Sequence, residues 1–91
     1  MLANGVYAVR VRFGGRDRFG IANIGRHPTF GGEERRLEIH LLDFAGDLYE
    51  VRMTVQFIAR LREEKKFPSA QALQRQLCAD EAAARKIFHL Q

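Results

Sequence analysis

The sequence predicts a mainly β domain, a small antiparallel β-barrel with one C-terminal α-helix lying across an opening. Three observations predict it. Tyr7, Val9, Val11 and Phe13 alternate with Ala8, Arg10 and Arg12, and Tyr49, Val51, Met53, Val55 and Phe57 alternate with Glu50, Arg52, Thr54 and Gln56, the period of half-buried strands. Gly14-Gly15 separates the first alternating run from a second apolar segment, as in a tight hairpin. After Pro68 the apolar residues change to helical spacing at Leu73, Leu77, Ala84, Ile87 and Leu90. Four or more antiparallel strands followed by a C-terminal helix suggest a small β-barrel with the helix across one opening.

Each element follows from its residues. Strand one covers the Tyr7–Phe13 run, and Gly14-Gly15 supplies positive φ without a Cβ clash. The return strand runs from about Arg18 to Ile24, with Gly20 and Gly25 at bulge or close-approach points. Residues 26–36, with Pro28, Gly31, Gly32 and the cluster Glu33-Glu34-Arg35-Arg36, read as a loop. Strand three spans about 37–44, and Ala45-Gly46-Asp47 turns into strand four at Tyr49, which continues to about Leu61. Ser69 is the expected N-cap of a helix from about residue 69. Asp80 falls on the helix's apolar stripe. It either interrupts the helix and caps a second segment or reaches a polar partner. Arg85 and Lys86 late in the helix suit its macrodipole.

Ninety-one residues make one domain, 1–91, without repeats or linkers. With 46% hydrophobic residues and two prolines the chain is globular rather than disordered. No apolar run approaches the roughly 20 residues that span a bilayer, and Met1-Leu2-Ala3-Asn4 leads straight into a strand rather than a signal peptide. The single cysteine, Cys78, excludes an internal disulfide and fits the reducing cytoplasm. Its place in a helical pattern makes it a small buried residue. Cys78 with His27, His40 and His89 has no metal-ligand spacing, so no zinc site is expected. A net charge of +4 favours anionic partners, but the arginines are spread along the chain beside acids and single out none.

One carboxylate is placed for chemistry. In Leu37-Glu38-Ile39-His40-Leu41-Leu42-Asp43-Phe44, strand alternation sends Leu37, Ile39 and Leu41 to one face and Glu38 and His40 to the other. An acid beside an imidazole, just after a Gly/Pro-rich segment, suits a general base acting on a hydroxyl. The same pattern also describes the solvated face of an ordinary antiparallel strand, and composition and spacing leave both readings open.

A family resemblance separates them. Gly5-Val6-Tyr7, then Asn23-Ile24-Gly25 with Pro28-Thr29-Phe30, then Leu37 through Phe44 with Asp47-Leu48-Tyr49, then Leu61-Arg62-Glu63-Glu64-Lys65-Lys66-Phe67 together resemble the riboflavin kinase module. In bacteria this module is the C-terminal half of a bifunctional riboflavin kinase/FAD synthetase. The match runs from Gly5 to about Arg85 with order and spacing kept. The resemblance implies a Greek-key barrel, and transfer of the γ-phosphate of Mg-ATP to the 5′-hydroxyl of riboflavin to give FMN. Glu38 maps onto the family's proposed base. The flavin-side loop maps onto Arg62 through Phe67, with Arg62 orienting the ring and Phe67 packing on it. Asn23 and Thr29 map onto loops near the site, and His40 onto a structural neighbour of Glu38.

The departures from the family also carry expectations. The family's upstream strand and Pro-Thr-Ala-Asn segment, which helps hold Mg²⁺ and the nucleotide phosphates, have no counterpart here, so this chain is expected to supply no metal ligand. Nor does the adenylyltransferase module, the expected partner in a full-length protein. His27 stands where arginine is usual before Pro-Thr, and Glu50 where glycine is common. The module is thus expected to be incomplete at its N-terminus, weak or inactive by itself, and prone to self-association through an exposed strand edge. Two alternatives are a basic barrel binding single-stranded nucleic acid, which places Tyr7, Phe13, Tyr49 and Phe57 as stacking platforms against their apolar strand phase, and a non-catalytic flavin-binding fragment. No membrane partner is expected.

Overall fold

A computed structural model describes residues 2–46 and 51–90. Four strands and one helix follow in order: β1 (Gly5–Phe13), β2 (Arg16–Thr29), β3 (Gly32–Leu41), β4 (Thr54–Arg62) and α1 (Ala70–Ile87). All ladders are antiparallel and the spatial order is β3-β2-β1-β4. Two hairpins make the first three strands, and the fourth lies beside the first. That is a Greek key. Among the described residues no ladder joins β3 to β4, so the sheet is open, with those two strands at its edges.

The β1–β2 turn is the one the glycines predict: Gly14 and Gly15 have φ of 58° and 73°, the primed geometry whose twist matches the strands. The next connection differs from expectation. Residues 26–36 are not a loop; they continue both strands in unbroken register from Gly20–Leu41 to Thr29–Gly32. The turn shrinks to Phe30 and Gly31, where Gly31 takes a φ of 97°. Pro28 is tolerated because β1 stops pairing at Gly5–Ile24. Beyond that point β2 has β3 on one side only, and its other side needs no N–H. Strand three accordingly begins earlier than expected and ends at Leu41, with Asp43 turning at a φ of 53°. The start of the fourth alternating run, from Asp47 to Glu50 and including Tyr49, lies outside the described residues. Val51–Met53 form no strand, and the ladder begins at Thr54.

Two faces of the sheet bury different things. Tyr7, Val9, Val11, Ala22, Ile24 and Leu41 form one core, joined by Phe13, Ile39, Phe44, Met53, Val55 and Phe57. Tyr7 and Phe57 meet edge to face with ring centroids 5.3 Å apart, a favoured aromatic geometry. Burying Val9 and Val11 completely is worth about 1.5–3 kcal/mol each. On the other face Ala8, Leu42 and Ala84 are buried with Ile21, Leu61, Phe88 and Leu90 around them. Ala8 and Ala84 have no exposed surface; two methyl-sized side chains let the helix sit close to the sheet.

The helix is one continuous element of 18 residues, capped by Ser69, whose Oγ accepts from the Ala72 N–H at 3.1 Å. Asp80 neither breaks it nor caps a second segment. It is 4% exposed and reaches a polar partner on β4. The apolar stripe is only half used. Ala84 is buried, but Leu73, Leu77 and Ile87 are 41%, 47% and 37% exposed. Cys78, expected inside, is exposed, because the N-terminal half of α1 overhangs the sheet instead of pressing on it.

Candidate active site

The ladder registers assemble a row across all four strands. Asn23 lies opposite Glu38, Val6 opposite Asn23, and Arg62 opposite Val6. Directly paired residues share a face, so β3, β2, β1 and β4 each contribute one side chain to the face that α1 overhangs. There the row opens into a cavity of about 210 Å³ lined by Glu38, Asn23, Arg62, His40, Leu77 and Asp80 among others. A second cavity of about 420 Å³ adjoins it, sharing Ile21, His40, Leu77 and Asp80 and continuing to Gln74 and Cys78. Together they form a groove with an apolar floor and a polar end.

Arg62 is held firmly. Its Nε and Nη2 donate to Asp80 Oδ1 and Oδ2, each at 2.8 Å, and its Nη1 donates to the Glu63 carbonyl at 2.9 Å. Gln76, one helical turn before Asp80, adds a third bond to that carboxylate at 2.9 Å. The guanidinium carbon lies 5.7 Å from the Phe67 ring centre, within cation–π range. Two of the five guanidinium N–H bonds make none of these hydrogen bonds.

Glu38 is the opposite case, with a side chain 60% exposed on an edge strand. Its one close partner among the described ion pairs is His27, whose Nε2 is 3.2 Å from Oε1. Gly25 lies between Asn23 and His27 on the same phase of β2, and a Cβ there would stand 2.5 Å from Glu64 Oε1. The Glu64 carboxylate, the far end of a flexible side chain from the segment after β4, thus packs over Gly25.

Of the residues singled out from the sequence, Glu38, Asn23, His40 and Arg62 come together in this groove, and Phe67 stands beside Arg62. Thr29 does not join them; it pairs with Gly32 at the hairpin end, about 20 Å along β2 from Asn23 at strand rise. Asp80 lines the groove; the bond to it from Gln76, the packing of Glu64 over Gly25 and the contact of His27 with Glu38 are features that sequence reasoning did not assign. The Gln76–Asp80 spacing of one helical turn was a readable signal. The phase of His27 on β2 was hidden by reading residues 26–36 as a loop. Among the described residues no group of three or more His, Cys, Asp or Glu side chains is placed to hold a metal ion.

The family model described as "Flavokinase: Riboflavin kinase" matches residues 1–88. The chain belongs to the riboflavin kinase family. It is 52% identical over 84 residues to the bifunctional riboflavin kinase/FMN adenylyltransferase of Pseudomonas fluorescens, covering 91% of this chain and 27% of that protein. To the Escherichia coli K12 protein of the same name it is 44% identical over 87 residues, covering 94% and 28%. An RNA-binding riboflavin kinase of Bacillus subtilis is 37% identical over 90 residues, with 98% of this chain and 39% of that protein covered. Among solved structures, a chain from Streptococcus pneumoniae described as a macrolide-efflux protein superposes with a TM-score of 0.84 at 39% identity, over 93% of this chain and 28% of that one. This chain therefore spans little more than a quarter of the length of the bifunctional relatives it matches. Among its described residues no helix is long and apolar enough to cross a membrane.

Proposed function

We propose that this chain carries the flavin side and the base of a riboflavin kinase site, for transfer of the γ-phosphoryl group of Mg-ATP to the 5′-hydroxyl of riboflavin. The observation that carries the reading is the four-strand row at the polar end of the groove. Glu38 and Asn23 stand at that end, and Ile21 and Leu77 wall the apolar remainder. A flat aromatic heterocycle suits the apolar part, beside the Arg62–Phe67 pair, while its polyhydroxyl tail reaches the carboxylate. Glu38 accepts the hydroxyl proton as the oxygen attacks phosphorus. In such a transfer the protein contributes positioning and charge balance rather than covalent chemistry. Asn23 holds Glu38's end of the row. Thr29 is a hairpin residue that meets ligand only if the hairpin closes over it.

On this reading FMN is the product, and the adenylyltransferase half named in the bifunctional relatives consumes it to make FAD. The reaction belongs in the cytoplasm, where the lone Cys78 stays reduced. Nucleic-acid binding is the weaker reading. Tyr7 is buried, and Phe13 and Phe57 are half-buried in the core, so they offer no stacking platform.

The test is Glu38→Gln in the full-length protein. FMN formation should fall by about 10²–10⁴-fold, the usual worth of a general base, while riboflavin affinity by fluorescence quenching stays within about twofold. Equal losses in binding and turnover would mean that Glu38 only holds substrate or fold.

A further inference from the structure

His27 is not turned to the carboxylate directly across the ladder. Its register partner is Glu34, but Arg36 Nε already donates to Glu34 Oε1. The imidazole reaches instead along its own strand toward Glu38, in the same direction as Gly25, over which the Glu64 carboxylate packs. The two atoms stand 3.2 Å apart as an ion-pair contact without the alignment of a made hydrogen bond; an ionised carboxylate only accepts, so a small turn of the imidazole that closes this contact puts the proton on Nε2. That assignment leaves Glu38 Oε2 for another donor. Without the restraint, a three-torsion side chain on an exposed edge strand would sample several rotamers, and a base must sit within hydrogen-bond reach of its hydroxyl.

We propose that His27 is a positioning residue for Glu38, its Nε2, 3.2 Å from one carboxylate oxygen, restraining the side chain so that the other oxygen points at the substrate hydroxyl. The inference rests on the kinase reading above and adds to it a residue that touches the base rather than the substrate. The other charged groups nearby have their own places: Glu34 is bonded to Arg36, Arg62 to Asp80, and the Glu64 carboxylate packs over Gly25.

A double-mutant cycle on FMN formation in the full-length protein tests it. His27→Ala should lower kcat about tenfold with the riboflavin KM within about twofold, since orientation rather than binding is lost. His27→Gln, whose amide N–H reaches nearly as far, should recover most of the loss. In a Glu38→Gln background, His27→Ala should change kcat by less than about twofold, because the two residues act as one unit. A tenfold loss in both backgrounds, or a change in KM alone, would overturn the proposal. A readout without activity is the carbon-bound imidazole protons of His27, which should shift on Glu38→Gln while those of His89 stay in place; no shift would also overturn it. Absence of turnover in the unsubstituted protein would overturn the kinase reading itself, whereas turnover with additive losses overturns the role of His27 alone.

Discussion

Asp80 decides how the groove is built. With 4% of its surface exposed and both oxygens bonded, it is a buried charge whose cost is met by Arg62 and Gln76. Removing the carboxylate leaves a guanidinium that is only 16% exposed without its counter-charge. Asp80→Ala should therefore destabilise the fold by about 3–5 kcal/mol, whereas replacing Asp80 and Arg62 together with leucine and methionine should cost much less; urea unfolding of the single and double variants measures both. A double variant as unstable as Asp80→Ala would mean that the pair is not what stabilises this end of α1. Single residues were legible in the sequence where strand phase applied. Glu38 and Asn23 share a face because each lies on a strand read as a strand. Arg62 and Asp80 could be noticed separately, but their meeting depends on where α1 crosses β4, which no local period encodes. His27 was hidden for a simpler reason. Proline and paired glycines read as a loop, whereas here they end a hairpin whose outer segment has a free side.

At the scale of elements, α1 is fastened at both halves by ions and at one half by packing. Ala84, Phe88 and Leu90 bury its C-terminal half, and Arg85 reaches the turn after β3, donating to Asp43 Oδ2 and Oδ1 at 3.0 and 2.7 Å. The hydrogen bonds from Arg85, helped by its charge and opposed by slight desolvation, hold the Asp43 carboxyl below the usual carboxylate range. The sign follows from linkage: between the lowered folded value and the ordinary unfolded one, the unfolded chain binds more protons, so stability rises with pH. The contribution is complete above the ordinary aspartate value of about 3.9 and is lost as pH falls through the folded value. Wild type should thus exceed Asp43→Asn in thermal stability at about pH 6, and the gap should shrink on acidification below about pH 4. With the carboxylate 64% exposed, added salt should shrink it too; a gap unchanged by either treatment would remove the ion pair from the account. The helix itself was legible from Ser69 and the apolar spacing. That Leu77 would line a groove and Leu73 stay exposed instead of entering a core was not, because periodicity marks a face without saying how closely it is approached.

For the whole molecule the open question of supply is electrostatic. On the proposed reading the groove takes the flavin and Glu38 is the base, but the cation that lines it, Arg62, is already tied to Asp80. A triphosphate brings several negative charges, and phosphoryl transfer depends on neutralising them. The chain's net charge of +4 is dispersed along the sequence and often paired locally, as in Arg12–Asp17 and Arg26–Glu33. The phosphate-neutralising groups must then come from outside this groove, and the matched relatives, in which this stretch is little more than a quarter of the protein, have ample chain to provide them. Two samples separate the contributions: these 91 residues alone, and a chimaera in which they replace the matched stretch of the Pseudomonas fluorescens relative. Riboflavin affinity should agree within about fivefold between the two, because the flavin walls are the same. FMN formation should be at least about 100-fold faster in the chimaera, the scale on which lost charge stabilisation is felt. Equal turnover would place the phosphate-holding residues in this chain, on a surface other than the groove beneath α1. Equal turnover together with weak flavin binding in both would displace the groove itself as the flavin site.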